Sequence, residues 1–151
     1  MKICHSQEAC TGCTACKHIC PTAAIAMREN DEGFLYPEVD ENLCIHCGRC
    51  VRVCPQNHKP PYREPRGVYA VKHKEQMVRV QSTSGGMFTA LSDWILQRGG
   101  VVYGAAFDEA FSVSHIMAET VLERNRMRGS KYVQSALGEV FAQIKKNLAE
   151  D

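Results

Sequence analysis

Nine cysteines fall in this 151-residue chain, and eight of them stand in two runs, Cys10-Thr-Gly-Cys13-Thr-Ala-Cys16-Lys-His-Ile-Cys20-Pro21 and Cys44-Ile-His-Cys47-Gly-Arg-Cys50-Val-Arg-Val-Cys54-Pro55. Every cysteine and both prolines match in register. No apolar leader opens the chain, so its thiols are expected to stay reduced, and closely spaced reduced thiols are metal ligands sooner than disulfide staples. Three cysteines two residues apart can fold a short loop around one face of a cubic iron–sulfur cluster, with backbone N–H groups aimed at the sulfurs. The fourth ligand must then come from elsewhere.

The C-x2-C-x2-C-x3-C-P spacing is that of bacterial 4Fe-4S sites, where the fourth cysteine of each run serves the other cluster. A helical turn after each loop would carry Cys20 and Cys54 across a pseudo-two-fold axis, and Pro21 and Pro55 redirect the chain there. The expected ligand sets are Cys10, Cys13, Cys16 and Cys54 for one cluster and Cys44, Cys47, Cys50 and Cys20 for the other. Zinc sites are built from pairs of C-x2-C and would leave a third cysteine of each run unexplained. Cys4, outside the repeat, is expected not to be a ligand. His5, His18, His46 and His58 lie close by in sequence and read as solvated or supporting groups, because all eight positions already have thiolates.

These loops must be held by short elements. Ala24-Ile25-Ala26-Met27 and Phe34-Leu35-Tyr36-Pro37 flank a polar Asn-Asp-Glu-Gly stretch with hairpin character. Residues 1–58 therefore resemble the bacterial two-cluster ferredoxin fold. The chain has a formal net charge of +1, which two oxidised clusters, each roughly −2 with its thiolates, shift to about −3. Residues 1–60 hold six basic and seven acidic side chains against twelve and ten in 61–151. That balance lacks the acidity of a free electron shuttle and favours a fixed relay in a larger enzyme. It also gives no electrostatic ground for nucleic acid or an anionic membrane.

Three prolines in Lys59-Pro60-Pro61-Tyr62-Arg63-Glu64-Pro65-Arg66-Gly67 predict an extended linker over 59–67. Beyond it, Val68-Tyr69-Ala70-Val71 and Met77-Val78-Arg79-Val80 read as short strands. Ser82-Thr83-Ser84 reads as the cap of a helix with Phe88, Leu91 and Ile95 on its apolar face, stopped by Gly99-Gly100. Val101 to Phe107 and Val113 to Ala118 read as strands, and Leu137, Val140, Phe141, Ile144 and Leu148 mark a last amphipathic helix. The fold class is α+β: a two-cluster ferredoxin-like domain followed by a small α/β domain over 68–151.

Two stretches of this second half could do more than scaffold. Ser82-Thr-Ser-Gly-Gly-Met-Phe opens a helix, and Arg128-Gly-Ser-Lys-Tyr-Val-Gln-Ser135 precedes another; glycines admit a ligand to backbone N–H groups, and Lys131 adds charge for an anion. Together with Gly99-Gly-Val-Val-Tyr-Gly-Ala, these stretches resemble successive motifs of the coenzyme F420 hydrogenase/dehydrogenase beta-subunit family over residues 68–149. The resemblance implies a flavin, usually FAD, that takes electrons from an iron–sulfur relay and exchanges a hydride with F420 or another acceptor. It implies Ser84, Gly85, Gly86, Lys131, Tyr132, Gln134 and Ser135 as flavin-site residues. Members of that family continue past the last helix, so the chain is expected to be truncated relative to them.

The expected function is an iron–sulfur electron-transfer oxidoreductase, or its N-terminal portion, in which two 4Fe-4S clusters feed a flavin. The alternative is an electron-carrier or docking module with no flavin of its own. Expected partners are a redox protein or other subunits of an oxidoreductase complex, with no nucleic acid and no membrane span, in the cytoplasm. Arg49 and Arg52, beside the second run, could raise its cluster's potential by stabilising the reduced state.

Overall fold

The computed structural model describes residues 2–4, 6–58 and 60–150; His5 and Lys59, the first residue of the expected linker, lie outside the described residues. Two compact units divide the chain, one formed by Met1–Arg63 with Phe141–Asp151 and one by Glu64–Val140.

In the first unit the cysteine repeat is also a backbone repeat. Cys44 follows Cys10 by 34 positions, and helices α1 (Ala15–Ile19) and α2 (Arg49–Val53) follow one another by the same offset. Ahead of them, Gly12 (φ 62°) and Thr14 (φ 58°) answer to His46 (φ 52°) and Gly48 (φ 69°). Each loop thus carries two left-handed residues, one glycine and one not, with the order exchanged. Such residues turn successive N–H groups to one side, which an anion-lined loop requires. Both helices stop for one reason: a residue before proline is pushed out of the helical region, and Cys20 (ψ 115°) and Cys54 (ψ 116°) are extended.

Strands β1 (Ile25–Glu29) and β2 (Leu35–Val39) pair antiparallel with Ile25 opposite Val39 and Met27 opposite Pro37. Asn30 Oδ1 accepts the N–H groups of Glu32 and Phe34, and Gly33 takes φ 82°, closing the turn that the polar stretch predicts. A two-stranded sheet leaves outer edges unpaired, so Pro37 is tolerated. Asp40 carries the chain into the second loop, its carbonyl accepting from Leu43 and Cys44 and its carboxylate from the Asn42 N–H. The core is Ile3, Cys16, Ile25 and Cys50, with Cys20, Val39 and Val51 packed on it. Only two of the four buried residues are aliphatic, a core of the size that small domains complete with metal sites.

In the second unit, β3 (Val102–Phe107) and β4 (Val113–Ala118) form the expected hairpin, with Val102 opposite Ala118. Asp108 Oδ1 closes its turn by accepting the N–H groups of Ala110 and Ser112. Helix α4 (Met87–Leu96) ends as Gly99-Gly100 predicts: Gly99 has φ 75°, and the Gly100 N–H reaches the Ile95 carbonyl. Helix α5 (Val121–Asn125) starts in a capping box of Thr120 and Glu123.

Several local expectations do not hold here. Residues 68–71 form no strand and are exposed, because no strand among the described residues pairs with them. Gln76–Val80 is a helix, α3, fastened when Arg79 Nη1 donates to the carbonyls of His73 (2.5 Å) and Lys74 (2.7 Å). No serine caps α4: its N-cap is Gly86 at φ 82°, and the Ser82 hydroxyl instead donates back to the Val78 carbonyl at 2.6 Å.

The buried face of α4 is also not the apolar one. Leu91 is 61% exposed, whereas Thr89 and Ser92 are buried. The reason is Arg124 of α5, itself 1% exposed. Its guanidinium donates to the Thr89 carbonyl (3.0 Å), the Ser92 hydroxyl and Asp93 Oδ1 (2.6 Å). A buried guanidinium needs acceptors on the helix it faces, and that need outweighs the gain from burying Leu91.

The last helix, α6 (Val140–Glu150), begins three residues after Leu137, and by contact its residues from Phe141 onward belong with the first unit. There the Phe141 ring meets His18 edge-on, with centroids 5.4 Å apart.

Candidate metal and cofactor sites

The repeat gathers thiols into two partly open, mainly apolar cavities. One is lined by Cys10, Cys13 and Cys16 of the first run and Cys54 of the second, together with Cys4, Ile3, Thr14 and Met27. The other is lined by Cys44, Cys47 and Cys50 with Cys20 of the first run, beside Ile25, Val39, Ile45 and Arg49. In each case the fourth cysteine comes from the other run, because the extended residue before proline ends its helix and crosses to the partner loop.

Burial works against the thiolate form of three of these sulfurs. Burial pushes Cys16 up to about 11. Burial likewise raises Cys10, with Cys4, Cys13 and Cys54 adding charge repulsion, and it raises Cys50. Cys20 moves the other way: burial again pushes upward, but the N–H groups of Thr22, Ala23 and Ala24 and the Thr22 hydroxyl together outweigh it and lower its value. The Ala24 N–H lies 3.3 Å from Cys20 Sγ. Four thiols that repel one another as anions are stabilised together by a cationic metal core, which replaces their protons.

The donor set fits a 4Fe-4S cluster in each cavity: four soft sulfurs, apolar walls and, in the first, a buried Thr14 hydroxyl that has no partner among the described residues and lines the space. The surroundings differ. Cys47 and Ile45 of the second site are exposed, and Glu41, Cys44 and His46 bring ligand atoms within 4.8 Å of one another at its rim. Arg49 and Arg52 are exposed.

Cys4 is the residue that sequence reasoning set aside. It is 8% exposed and lines the first cavity. Its segment is tied down by Asn57, whose Nδ2 donates to the carbonyls of Ile3 (2.9 Å) and Val51 (3.0 Å). No local pattern marks Cys4, since a contact 54 residues apart sets its place.

In the second unit, part of each singled-out stretch meets in one cleft. Ser82, Thr83, Ser84 and Gly86 line it together with Arg128 and Gly129, and Thr89 forms part of its wall. Thr89 is 2% exposed and its hydroxyl has no partner among the described residues; the Arg128 Nε is buried and also unpaired, while its Nη1 donates to Gln81. Gly85 answers to packing: a Cβ there would collide with the Val71 carbonyl. Lys131, Tyr132, Gln134 and Ser135 do not line the cleft. The Lys131 ammonium donates to the carbonyls of Met127 (2.9 Å), Arg128 (2.8 Å) and Gly129 (3.0 Å), and burial lowers its pKa. Tyr132 is 94% exposed, and Ser135 is hydrogen-bonded to His115 at 2.8 Å. Among the described residues, no helix is long and apolar enough to cross a membrane.

Comparison with known proteins bears on the first unit and on the start of the second. Residues 9–58 match a model of the 4Fe-4S dicluster domain, and residues 36–89 match a second model of the same description. One subunit of the ion-translocating oxidoreductase complex of Methanosarcina acetivorans is 45% identical over 47 residues, 31% of this chain and 16% of the relative. One subunit of the Na(+)-translocating ferredoxin:NAD(+) oxidoreductase complex of Acetobacterium woodii is 40% identical over 48 residues, 32% of this chain and 13% of the relative. One component of the anaerobic dimethyl sulfoxide reductase of Escherichia coli is 42% identical over 53 residues, 35% of this chain and 23% of the relative. The matched stretch is thus less than a quarter of each of these proteins. The chain carries a 4Fe-4S dicluster domain and an iron–sulfur electron-transfer role through two clusters.

Proposed function

We propose that this chain is a one-electron relay of a larger oxidoreductase, with Cys10, Cys13, Cys16 and Cys54 holding one 4Fe-4S cluster and Cys20, Cys44, Cys47 and Cys50 the other. The observation that carries this reading is the pair of thiol-lined cavities, each bringing three cysteines of one run together with the fourth of the other. A bound cluster accepts and gives up one electron at a time. The residues around it hold it apart from water, and through burial and N–H groups on sulfur they set how readily it is reduced. Arg49 is the side chain of the second cavity suited to favour reduction there. The partner is a redox protein or the other subunits of such a complex, a reading supported by the names of the relatives. Anaerobic reconstitution tests it: about eight iron and eight sulfide per chain, with two reducible signals, is the expected result. Zinc at stoichiometric content, or about four iron, would overturn it.

A second reading adds a flavin such as FAD, and with it hydride exchange with F420 or another acceptor. The cleft between Ser82–Gly86 and Arg128–Gly129 favours it, since the unpaired Thr89 hydroxyl and Arg128 Nε call for an oxygen-rich guest at the start of α4. The site would use Ser84, Gly86 and Arg128, with Lys131 shaping the turn that presents Arg128, and Gly85, Tyr132, Gln134 and Ser135 outside the cleft. Flavin released by heat from the reconstituted chain measures this. Stoichiometric flavin that falls at least tenfold in Arg128→Met supports it; a flavin-free protein leaves the relay or docking module alone.

A further inference from the structure

The first cavity holds one thiol more than a cluster needs. Cys4 shares its wall with Cys10, Cys13, Cys16 and Cys54. Cys4 and Cys10 also line a second, more open cleft with Lys2, Gln7 and Tyr36. These two cysteines therefore line both spaces, Cys10 part-exposed and Cys4 as buried as Cys16. The segment of Cys4 is not a loose end: Ile3 belongs to the core, and Asn57, three residues beyond Cys54, holds its carbonyl.

We propose that Cys4 is a reserve ligand of the first cluster, able to take the iron otherwise bound by Cys10. The inference rests on the two-cluster reading. In the exchange, the Fe–S bond to Cys10 breaks and one to Cys4 forms. The Cys4 proton passes to the departing Cys10 thiolate, directly or through water in the open cleft, so neither charge nor oxidation state changes. Cys10 is the ligand most easily replaced because it alone of the four shares both spaces with Cys4. The site would thereby keep its cluster through damage to its solvent-side ligand, for which the second site, lined by four thiols and no fifth among the described residues, has no equivalent.

The test compares Cys10→Ala with Cys4→Ala/Cys10→Ala in the full chain, reconstituted anaerobically and read by iron content and electron paramagnetic resonance. Expected are about eight iron and no three-iron signal in the single variant, and loss of at least one iron or of the whole first cluster in the double variant. A single variant that loses iron as the double does, or a double variant that keeps all eight, would overturn the role of Cys4. A wild-type chain with fewer than about eight iron would instead reject the two-cluster reading beneath it. The second cluster's signal reports folding; where Cys10→Ala lacks it, Cys10→Ser repeats the comparison with and without Cys4, and equal spectra in that pair would likewise overturn the role.

Discussion

The two units are built around opposite problems. In the first, three cysteines close in sequence line each space and the opposite run supplies the fourth: two runs of twelve residues, offset by 34, carry the sulfurs, the left-handed turns and the prolines that end both helices. In the second, residues far apart surround a charge: Arg124 is buried against the Thr89 carbonyl, Ser92 and Asp93, more than thirty positions away. Most of a metal site can be written in local spacing, because three of its four ligands stand within seven residues. A buried guanidinium cannot, because its acceptors come from another helix. The comparison teaches which mutations should stay confined to one unit.

The largest expected effect is in the first unit. Cys20→Ala should remove about four of eight iron, and the signal lost should be that of the Cys44 site, with Cys54→Ala doing the reverse. Site-resolved spectroscopy that finds Cys20→Ala acting on the Cys10 site would break the crossed arrangement. In the second unit, Arg124→Met should destabilise by about 3 kcal/mol, since it strands Asp93 and two buried acceptors. Chemical denaturation followed by Trp94 fluorescence reads that loss, and the iron signals of the folded protein should be unchanged.

Smaller changes sharpen the same contrast. Gly48→Ala puts a side chain at φ 69°, with only ordinary contact to Arg52, so about 1 kcal/mol of backbone strain should appear as weaker cluster retention at the second site. Thr120→Ala should cost about 1 kcal/mol through loss of the α5 cap. Glu123 accepts the N–H of Glu119, the hydroxyl of Thr120 and the N–H of Thr120, which lower its pKa in that order. Its folded value lies below its unfolded one, so the stabilisation is present above the unfolded value and lost as pH falls through the folded one. Glu123→Gln should flatten that acid dependence of the second unit's unfolding, and an unchanged slope would remove the carboxylate from the account.

Much of the first unit was legible because each signal spans few residues. The hairpin follows from Asn30 and Gly33 at its turn, and the helix ends follow from Pro21 and Pro55. The second unit was legible only where the same condition held, at Gly99-Gly100 and in the two strands of its hairpin. The pattern failed at Met77–Val80, where alternation alone does not tell a strand from a helical turn, and on α4, where Phe88 and Leu91 look like a core face. In the flavin stretches, Lys131 reads as an arm for an anion, yet its own turn supplies the carbonyls that hold it.

By itself, the sequence determined the thiol repeat, its metal chemistry and the short elements that frame it, since spacing, proline and turn residues act within a few bonds of one another. Tertiary structure alone decided that Cys4 stands in the first cavity and that Thr89 and Ser92, not Leu91, face inward. It also set Arg128 rather than Lys131 beside the serine loop. Each of those outcomes depends on a partner more than thirty residues distant, or on a carbonyl whose direction only the folded backbone sets.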